Sequence, residues 1–257
     1  MNDPRAPLAL ILVALAGLPA VPEEKASLPG EQAKFPLRFG REYRYTWVLK
    51  NTKVGETRMR ITEVDAPAGS AHKKYFRSSS SFRYEREGQF QSGEQDCFFD
   101  PTWRPLQYET HQRYSGLGDR RSFQEQKGQI RGGRLEYKVI HNGATNQPVH
   151  SEMEAPADAY LFLNQSVDSW AILAANLLRR PSTYEAKVMY PDFLRVYEVT
   201  FSFEKEEPVA IGKDEKPIGR LFLFQSKERQ IAGKVWVDNE GRLLQYEQGD
   251  LLITLAE

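Results

Sequence analysis

The stretch EYRYTWVLK, residues 42–50, places Tyr43, Tyr45, Trp47 and Leu49 at every second position, with polar side chains between most of them. Successive side chains of a β-strand point to opposite faces of a sheet, so this alternation is typical of a half-buried strand. The same period of two recurs from residue 39 onward, in 56–61, 199–204, 235–237 and 251–255. The alternation therefore indicates a mainly β protein.

Short glycine-containing turns separate these segments. In four places a Gly follows two polar residues: REGQ (86–89), QKGQ (126–129), NEGR (239–242) and EQGD (247–250). A hairpin loop of this kind ends on a left-handed residue, a conformation that Gly adopts without steric cost. The turns predict a meander of antiparallel hairpins and disfavour a parallel sheet, whose strands need crossover connections.

One segment follows a helical period instead. In NQSVDSWAILAANLLRRP, apolar residues recur at helical spacing from Trp170 to Leu178, and Ser166 or Asp168 is placed to cap the start. The arginines and the proline at 179–181 are typical of a helix end. An amphipathic helix of this length needs a surface to cover, and we expect the concave face of a curved sheet to provide it.

These patterns predict a mainly β fold, with a curved antiparallel sheet (a half-barrel) and one packed α-helix near 167–179. A closed β-barrel and a two-sheet sandwich are the alternatives. No linker composition interrupts 39–257, which predicts a single domain. The stretches 159–165 and 219–225 are apolar on both faces, which fits either strands between the helix and a cavity or the central strands of a sandwich.

The first residues predict export. A single Arg5 precedes the apolar run Leu8–Leu18, which is too short to span a bilayer and is typical of a signal peptide. We assign 1–20 to the signal peptide, with cleavage after Ala16 or Ala20, and 21–38 to a flexible leader. The expected protein is exported, periplasmic or extracellular, with no stable transmembrane span.

Charge argues against nucleic acid as a partner. The chain has 35 Lys and Arg against 35 Asp and Glu, so no net positive charge draws it onto a phosphate backbone. Aromatic residues make up 12% of the chain, which suits strands and a packed core.

No catalytic constellation is visible. Cys97, the single cysteine, has neither a disulfide partner nor a cysteine-hydrolase signature, so we expect it to be buried in a strand. The four histidines, at 72, 111, 141 and 150, do not share an element at metal-ligand spacing. We therefore predict a protein that is not an enzyme, with no catalytic, metal-binding or cofactor-binding residues. A hydrolase with an unrecognised site is the third reading.

Three stretches resemble a group of exported bacterial proteins classed as a domain of unknown function. They are NTKVGETRMRITEV (51–64), CFFDPTWRPLQYE (97–109) and GKVWVDNEGRLLQYEQGDLLITL (233–255), and VDSWAILAANLLRR (167–180) resembles the helix of that group. The resemblance covers roughly 40–255 and extends to the LolA/LolB type of lipoprotein carrier. It implies a half-barrel and a place in the cell envelope, and no catalytic residue.

Two functions are compatible with these observations. The first is a non-catalytic binding or carrier module for an apolar ligand or a lipidated chain, held in an apolar cavity of the sheet. Its candidate lining residues are Trp47, Trp170, Phe201, Phe203, Phe222, Phe224 and Trp236. The second is a structural or partner-docking envelope protein without a small ligand, which binds its partner by strand addition at an exposed sheet edge.

Overall fold

A computed structural model describes residues 37–66, 72–116, 121–141, 148–163, 166–178, 182–212, 215–228 and 230–256. The described chain forms fifteen strands and one α-helix. In chain order these are β1 (Glu42–Leu49), β2 (Thr52–Asp65), β3 (Lys74–Arg86), β4 (Gln89–Phe99), β5 (Pro105–Ser115), β6 (Arg121–Arg131), β7 (Arg134–His141), β8 (Val149–Glu154), β9 (Ala159–Leu161), α1 (Val167–Leu177), β10 (Thr183–Tyr190), β11 (Arg195–Pro208), β12 (Ile218–Ser226), β13 (Ala232–Val237), β14 (Leu243–Gln248) and β15 (Leu251–Leu255).

All fifteen strands belong to one curved sheet that stays open. Its strand order is β8-β7-β6-β5-β4-β3-β2-β1-β15-β14-β13-β12-β11-β10-β9, so β8 and β9 form the two edges. The predicted mainly β fold, with a curved antiparallel sheet and one helix, is confirmed. The sheet is not closed into a barrel.

One pair of strands is parallel, which the turn pattern did not predict. β9 pairs with β10 in parallel, from Ala159 opposite Lys187 to Leu161 opposite Met189. The chain reaches β10 through α1, and a helical crossover is the connection that brings a chain back in the same direction. The segment predicted as an amphipathic cover is therefore also a crossover.

The helix α1 is buried on nearly every side. The amphipathic pattern predicted one apolar face and one solvent-exposed face, and the exposed face is not found. Ten of its eleven residues are buried, and Asn176 is the exception. Ile172 and Ala175 lie on the face opposite Leu173 and Ala174, and all four are buried. A helix that is apolar all round belongs in a core, and α1 packs inside the curvature of the sheet rather than on its outside.

One predicted turn is wrong. Gly128 lies within β6 and not in a hairpin loop. The position is a glycine because the ring of Tyr108 packs where a side chain would stand. A Cβ at Gly128 would come within 2.1 Å of Tyr108 Cε1. The nearest hairpin turn follows β6 instead, at Gly132 and Gly133, whose φ angles are 53° and 77°.

Several predictions at the chain's start and helix end fall outside the described residues. These are the signal peptide 1–20, its cleavage sites, most of the leader 21–38 and the helix-ending residues 179–181. The last two leader residues are described, and Leu37 is buried in the core. Among the described residues, no helix has the length and apolarity needed to cross a membrane.

Candidate functional site

An aromatic cavity of about 430 Å³ lies at the end of the sheet where β1, β10 and β14 run into their turns. The strands around it contribute the walls, and α1 enters it from the side of its first turn. Its lining residues are Trp47, Phe162, Leu163, Ser166, Trp170, Tyr190, Phe193, Tyr197, Gln230, Ile231, Tyr246, Gln248, Leu251 and Ile253. The volume falls within the range of small-molecule sites.

Trp170 of α1 is at the centre of the aromatic packing. Its ring centroid lies 4.4 Å from that of Tyr246, 4.8 Å from that of Phe224 and 4.7 Å from that of Phe162. The Phe162 contact is edge-to-face, and the other two are tilted. Ring pairs at these separations add to the free energy of burial. The packing holds α1 against β12 and β14 and makes Trp170 a fixed part of the cavity.

A second wall comes from three neighbouring strands in register. Trp47 on β1 faces Ile253 on β15, which in turn faces Tyr246 on β14. The three side chains therefore form one row across the inner face. The buried indole N–H of Trp47 has no hydrogen-bond partner among the described residues.

The cavity is neutral. Among the described residues that line it, none carries a formal charge at neutral pH. Burial raises the pKa of Tyr190 and of Tyr246 above the ordinary value of 10.0, so both phenols stay protonated. The Tyr246 hydroxyl donates to Gln248 Oε1, and Gln230 Oε1 accepts from Arg195 Nη1 at 3.1 Å. The polar rim groups are therefore partly engaged within the protein.

The seven residues predicted to line a ligand site occupy four places. Trp47 and Trp170 line the cavity. Phe201 and Phe224 lie behind them, with ring centroids 5.8 Å apart. Phe203, Phe222 and Trp236 do not line the cavity, because of their positions along the strands and the face of the sheet on which they lie.

Phe203 on β11 and Phe222 on β12 form a separate pair that does not line the cavity. Arg220 covers both rings, with its guanidinium carbon 4.9 and 5.7 Å from their centroids. Trp236 lies on the outer face, next to Lys234, and its Nε1 donates to Glu207 Oε1 at 2.8 Å. Its neighbours Val235 and Val237 take the inner positions, because successive residues of a strand alternate.

Sequence reasoning missed most of the cavity's aromatic residues. Phe162, Tyr190, Phe193, Tyr197 and Tyr246 come from three separate stretches of the chain: 162, 190–197 and 246. The tyrosines fit an ordinary alternating pattern, so no local signal distinguishes them from surface residues of a strand. Only the pairing of distant strands brings them together.

A buried carboxylate fixes the first turn of α1. Asp168 Oδ2 accepts from Ser78 Oγ at 2.9 Å, and Asp168 Oδ1 accepts from Gln95 Nε2 at 2.7 Å and from Ser166 Oγ. Ser166 also caps the helix, accepting from the backbone N–H of Ser169. Burial raises the pKa of Asp168 above its ordinary range. This network ties α1 to β3 and β4, on the side opposite Trp170's ring partners.

Cys97 lies on β4 and is 2% exposed. Burial is the main cause that raises the pKa of its thiol, with Asp168 and Asp96 adding to it. A protonated, inaccessible thiol is a poor nucleophile, so the position is that of a packing residue.

Two larger depressions, of about 760 and 530 Å³, lie along β4–β8. Their ionic groups pair with one another. His111 Nε2 lies 2.9 Å from Glu109 Oε1, its Nδ1 lies 3.5 Å from Glu125 Oε1, and Lys127 Nζ lies 2.7 Å from Glu109 Oε1. Within the described ranges, no group of three or more His, Cys, Asp or Glu side chains is arranged to hold a metal ion. Charged side chains line both depressions, whereas no described lining residue of the aromatic cavity carries a formal charge at neutral pH.

The chain is similar to two solved structures of domains of unknown function. A β-barrel-like protein of domain of unknown function DUF1849 from Brucella abortus matches with a TM-score of 0.50 at 11% identity, over 84% of this chain and 94% of that one. A DUF1089 family protein from Pseudomonas aeruginosa matches with a TM-score of 0.37 at 12% identity, over 73% of this chain and 89% of that one.

The first match is a likeness of fold. The fold of this chain resembles that of a β-barrel-like domain of unknown function, which agrees with the coarser part of the predicted resemblance. The resemblance to exported proteins and to the LolA/LolB carriers stays a prediction. No protein-family model and no curated protein matches the sequence.

Proposed function

We propose that the protein binds one neutral, apolar ligand in the aromatic cavity and catalyses no reaction on it. The observation that carries this proposal is the cavity itself: about 430 Å³, walled by aromatic rings and without a charged lining residue among those described. Large rings contribute much apolar area at little cost in side-chain entropy, which suits them to a ligand without strong polar groups.

The same lining selects against charged ligands. A carboxylate or ammonium group moved into the cavity would lose its hydration and meet no counter-ion there. An amphipathic ligand would therefore keep a charged head outside, at the mouth, with only its apolar part among Trp170, Tyr246 and Ile253. The acyl part of a lipid or of a lipidated chain has this chemistry.

The proposed place of action is the cell envelope. Its support is the sequence of residues 1–20, whose apolar run has the length of a signal peptide rather than of a membrane span. An exported protein with an aromatic cavity would act as a carrier or binding module that shields an apolar molecule from water.

Native mass spectrometry tests this function. The chain is produced with its own N-terminus in an exporting host, and its mass is read under gentle and then under stronger activation. The proposal expects a second peak displaced by a lipid-sized mass and lost on activation. A single bare species, in preparations exposed to host lipids throughout, contradicts it.

A second candidate function is partner docking by strand addition, which the open sheet favours. Among the described strands, β8 is hydrogen-bonded to β7 alone, so its outer edge offers unpaired backbone groups. A partner strand would slow hydrogen exchange of the amides of Val149–Glu154 and leave those of β14 unchanged. A chain that stays monomeric in envelope extracts, with unaltered exchange in β8, rules this function out.

A further inference from the structure

The turn between β10 and β11 forms part of the cavity's mouth. We call residues 191–194 the rim turn. Phe193 lines the cavity and is 61% exposed, and Leu194 beside it is 51% exposed. Leu194 has φ 53°, in the left-handed region that a leucine rarely adopts. The rim turn thus keeps two large apolar side chains in solvent and holds a strained backbone at the entrance.

Two hydrogen bonds fasten the rim turn to the far side of the sheet. Tyr137 Oη, on β7, donates to the carbonyl oxygen of Pro191 at 3.0 Å. Gln126 Nε2, on β6, donates to Asp192 Oδ1 at 2.7 Å. β6 and β7 lie near one edge of the sheet and β10 near the other, so these two bonds bridge its opening. Both donors come from buried side chains of the inner face.

We propose that the rim turn is the gate of the aromatic cavity, fastened to β6 and β7 by the Tyr137 and Gln126 hydrogen bonds; this rests on the proposed function. Breaking the two bonds loosens the rim turn from β6 and β7, and the strained Leu194 backbone relaxes as it moves away. Phe193 then leaves the cavity wall, and an apolar ligand enters or leaves. The two bonds set the rate of exchange rather than the affinity, because neither donor lines the cavity.

Three variants test the gate. Tyr137→Phe and Gln126→Met each remove one of the two bonds at nearly constant side-chain volume. Asp192→Ala removes the Gln126 bond from the other partner. Asp192 is exposed, so this substitution leaves the core unchanged. The matched control is Tyr45→Phe, which removes a buried tyrosine's bond to the carbonyl of Leu243, far from the rim turn. The probe is N-phenyl-1-naphthylamine, a neutral fluorescent molecule, followed by stopped flow.

The gate predicts that Tyr137→Phe combined with Gln126→Met raises both the association and the dissociation rate roughly tenfold or more, as expected for two ordinary hydrogen bonds. The dissociation constant stays within about twofold, and Tyr45→Phe leaves both rates unchanged. Unaltered rates in the double variant and in Asp192→Ala, with the probe still bound, overturn the gate and leave the cavity's function standing. A wild-type protein that does not bind the probe overturns the cavity's function and the gate with it.

Discussion

Asp168 shows how a single buried side chain positions the helix that fills the sheet. Its carboxylate accepts hydrogen bonds from Ser78, Gln95 and Ser166, which come from β3, β4 and the helix cap. Removing an acceptor leaves buried donors without partners, and that costs more than the bonds themselves contribute. The residue lies at N2 of α1, where a carboxylate also complements the helix dipole.

We expect Asp168→Ala to lower the free energy of unfolding by about 3 kcal/mol, because two buried donors from the sheet lose their acceptor. Asp168→Asn serves as the matched control: its amide oxygen still accepts from Gln95 and its amide nitrogen can donate to Ser78 Oγ. Urea unfolding at neutral pH measures both. Equal losses in the two variants would mean that hydrogen bonding at this site contributes little.

The raised pKa of Asp168 also predicts a pH dependence. At a pH between the unfolded pKa of 3.8 and the higher folded pKa, the folded protein holds a proton at this carboxyl that the unfolded chain has released. The proton-linked part of the stability that Asp168 contributes is therefore full below the unfolded pKa and is lost as pH rises through the folded pKa. Asp168→Asn does not titrate, so its free energy of unfolding minus that of the wild type increases as pH rises from about 4. Urea midpoints over a pH series measure this difference, and a falling difference contradicts the sign.

Gly128 is the residue where the sequence pattern misleads most. The motif QKGQ matches a hairpin turn, but no sequence rule says that a tyrosine twenty positions earlier will pack on this backbone. We expect Gly128→Ala to cost about 2 kcal/mol or more through overpacking against Tyr108. Gly116→Ala is the control, since a Cβ there meets nothing within 4 Å. Thermal or urea unfolding of both variants checks the contrast, and a neutral Gly128→Ala would show that Tyr108 moves freely.

At the scale of elements, α1 separates what the sequence predicts from what it does not. The helical period and the Ser166 cap place its start correctly, because both are local signals. Its nearly complete burial is not local, because it depends on strands from both halves of the sheet: β2, β3, β4 and β9 before it in the sequence, and β12, β13 and β14 after it. Small apolar residues such as Ala171 and Ala175 are compatible both with an exposed helix face and with a tightly packed core, so the sequence does not distinguish the two.

The buried helix makes a prediction that an amphipathic helix would not. Ile172→Ala and Leu173→Ala, on different faces, are both expected to lower the free energy of unfolding by about 2–4 kcal/mol, because both side chains are fully packed. Asn176→Ala, at the half-buried position, should cost less than either. Denaturant unfolding measures the three. If Ile172→Ala alone changed the free energy of unfolding only slightly, the helix would be buried on one face only, as an amphipathic helix is.

At the scale of the whole molecule, local patterns predict the fold class: strand alternation and glycine turns predict an antiparallel sheet, and one helical period predicts the helix. The buried face of each strand can be identified from the strand's own sequence. Tyr43, Tyr45 and Trp47, for example, are buried at alternate positions of β1. Strand order is not written locally, and the cavity depends on it. Trp47 and Trp170 were predicted as lining residues, but Tyr246 joins them only because β14 lies two strands from β1.

The order of the sheet also relates the cavity to its opening. Because β8 and β9 are the edges, the gap between the two ends of the sheet is bridged where the rim turn reaches β6 and β7. An open sheet bridged by two side-chain hydrogen bonds can loosen there without breaking any strand pairing. The arrangement combines a wall of strand residues on β1, β14 and β15 with the rim turn at 191–194, which we propose to be separable.

The most direct test of this account is an equilibrium titration of N-phenyl-1-naphthylamine into the wild type, Leu251→Trp and Leu223→Trp. Leu251 lines the cavity, whereas Leu223 is 39% exposed and lies outside it, so the two variants add the same bulk in different places. The account predicts one probe per chain for the wild type and Leu223→Trp, and at least tenfold weaker binding for Leu251→Trp. Equal binding by all three proteins, or none by the wild type, would contradict the claim that the aromatic cavity holds an apolar ligand.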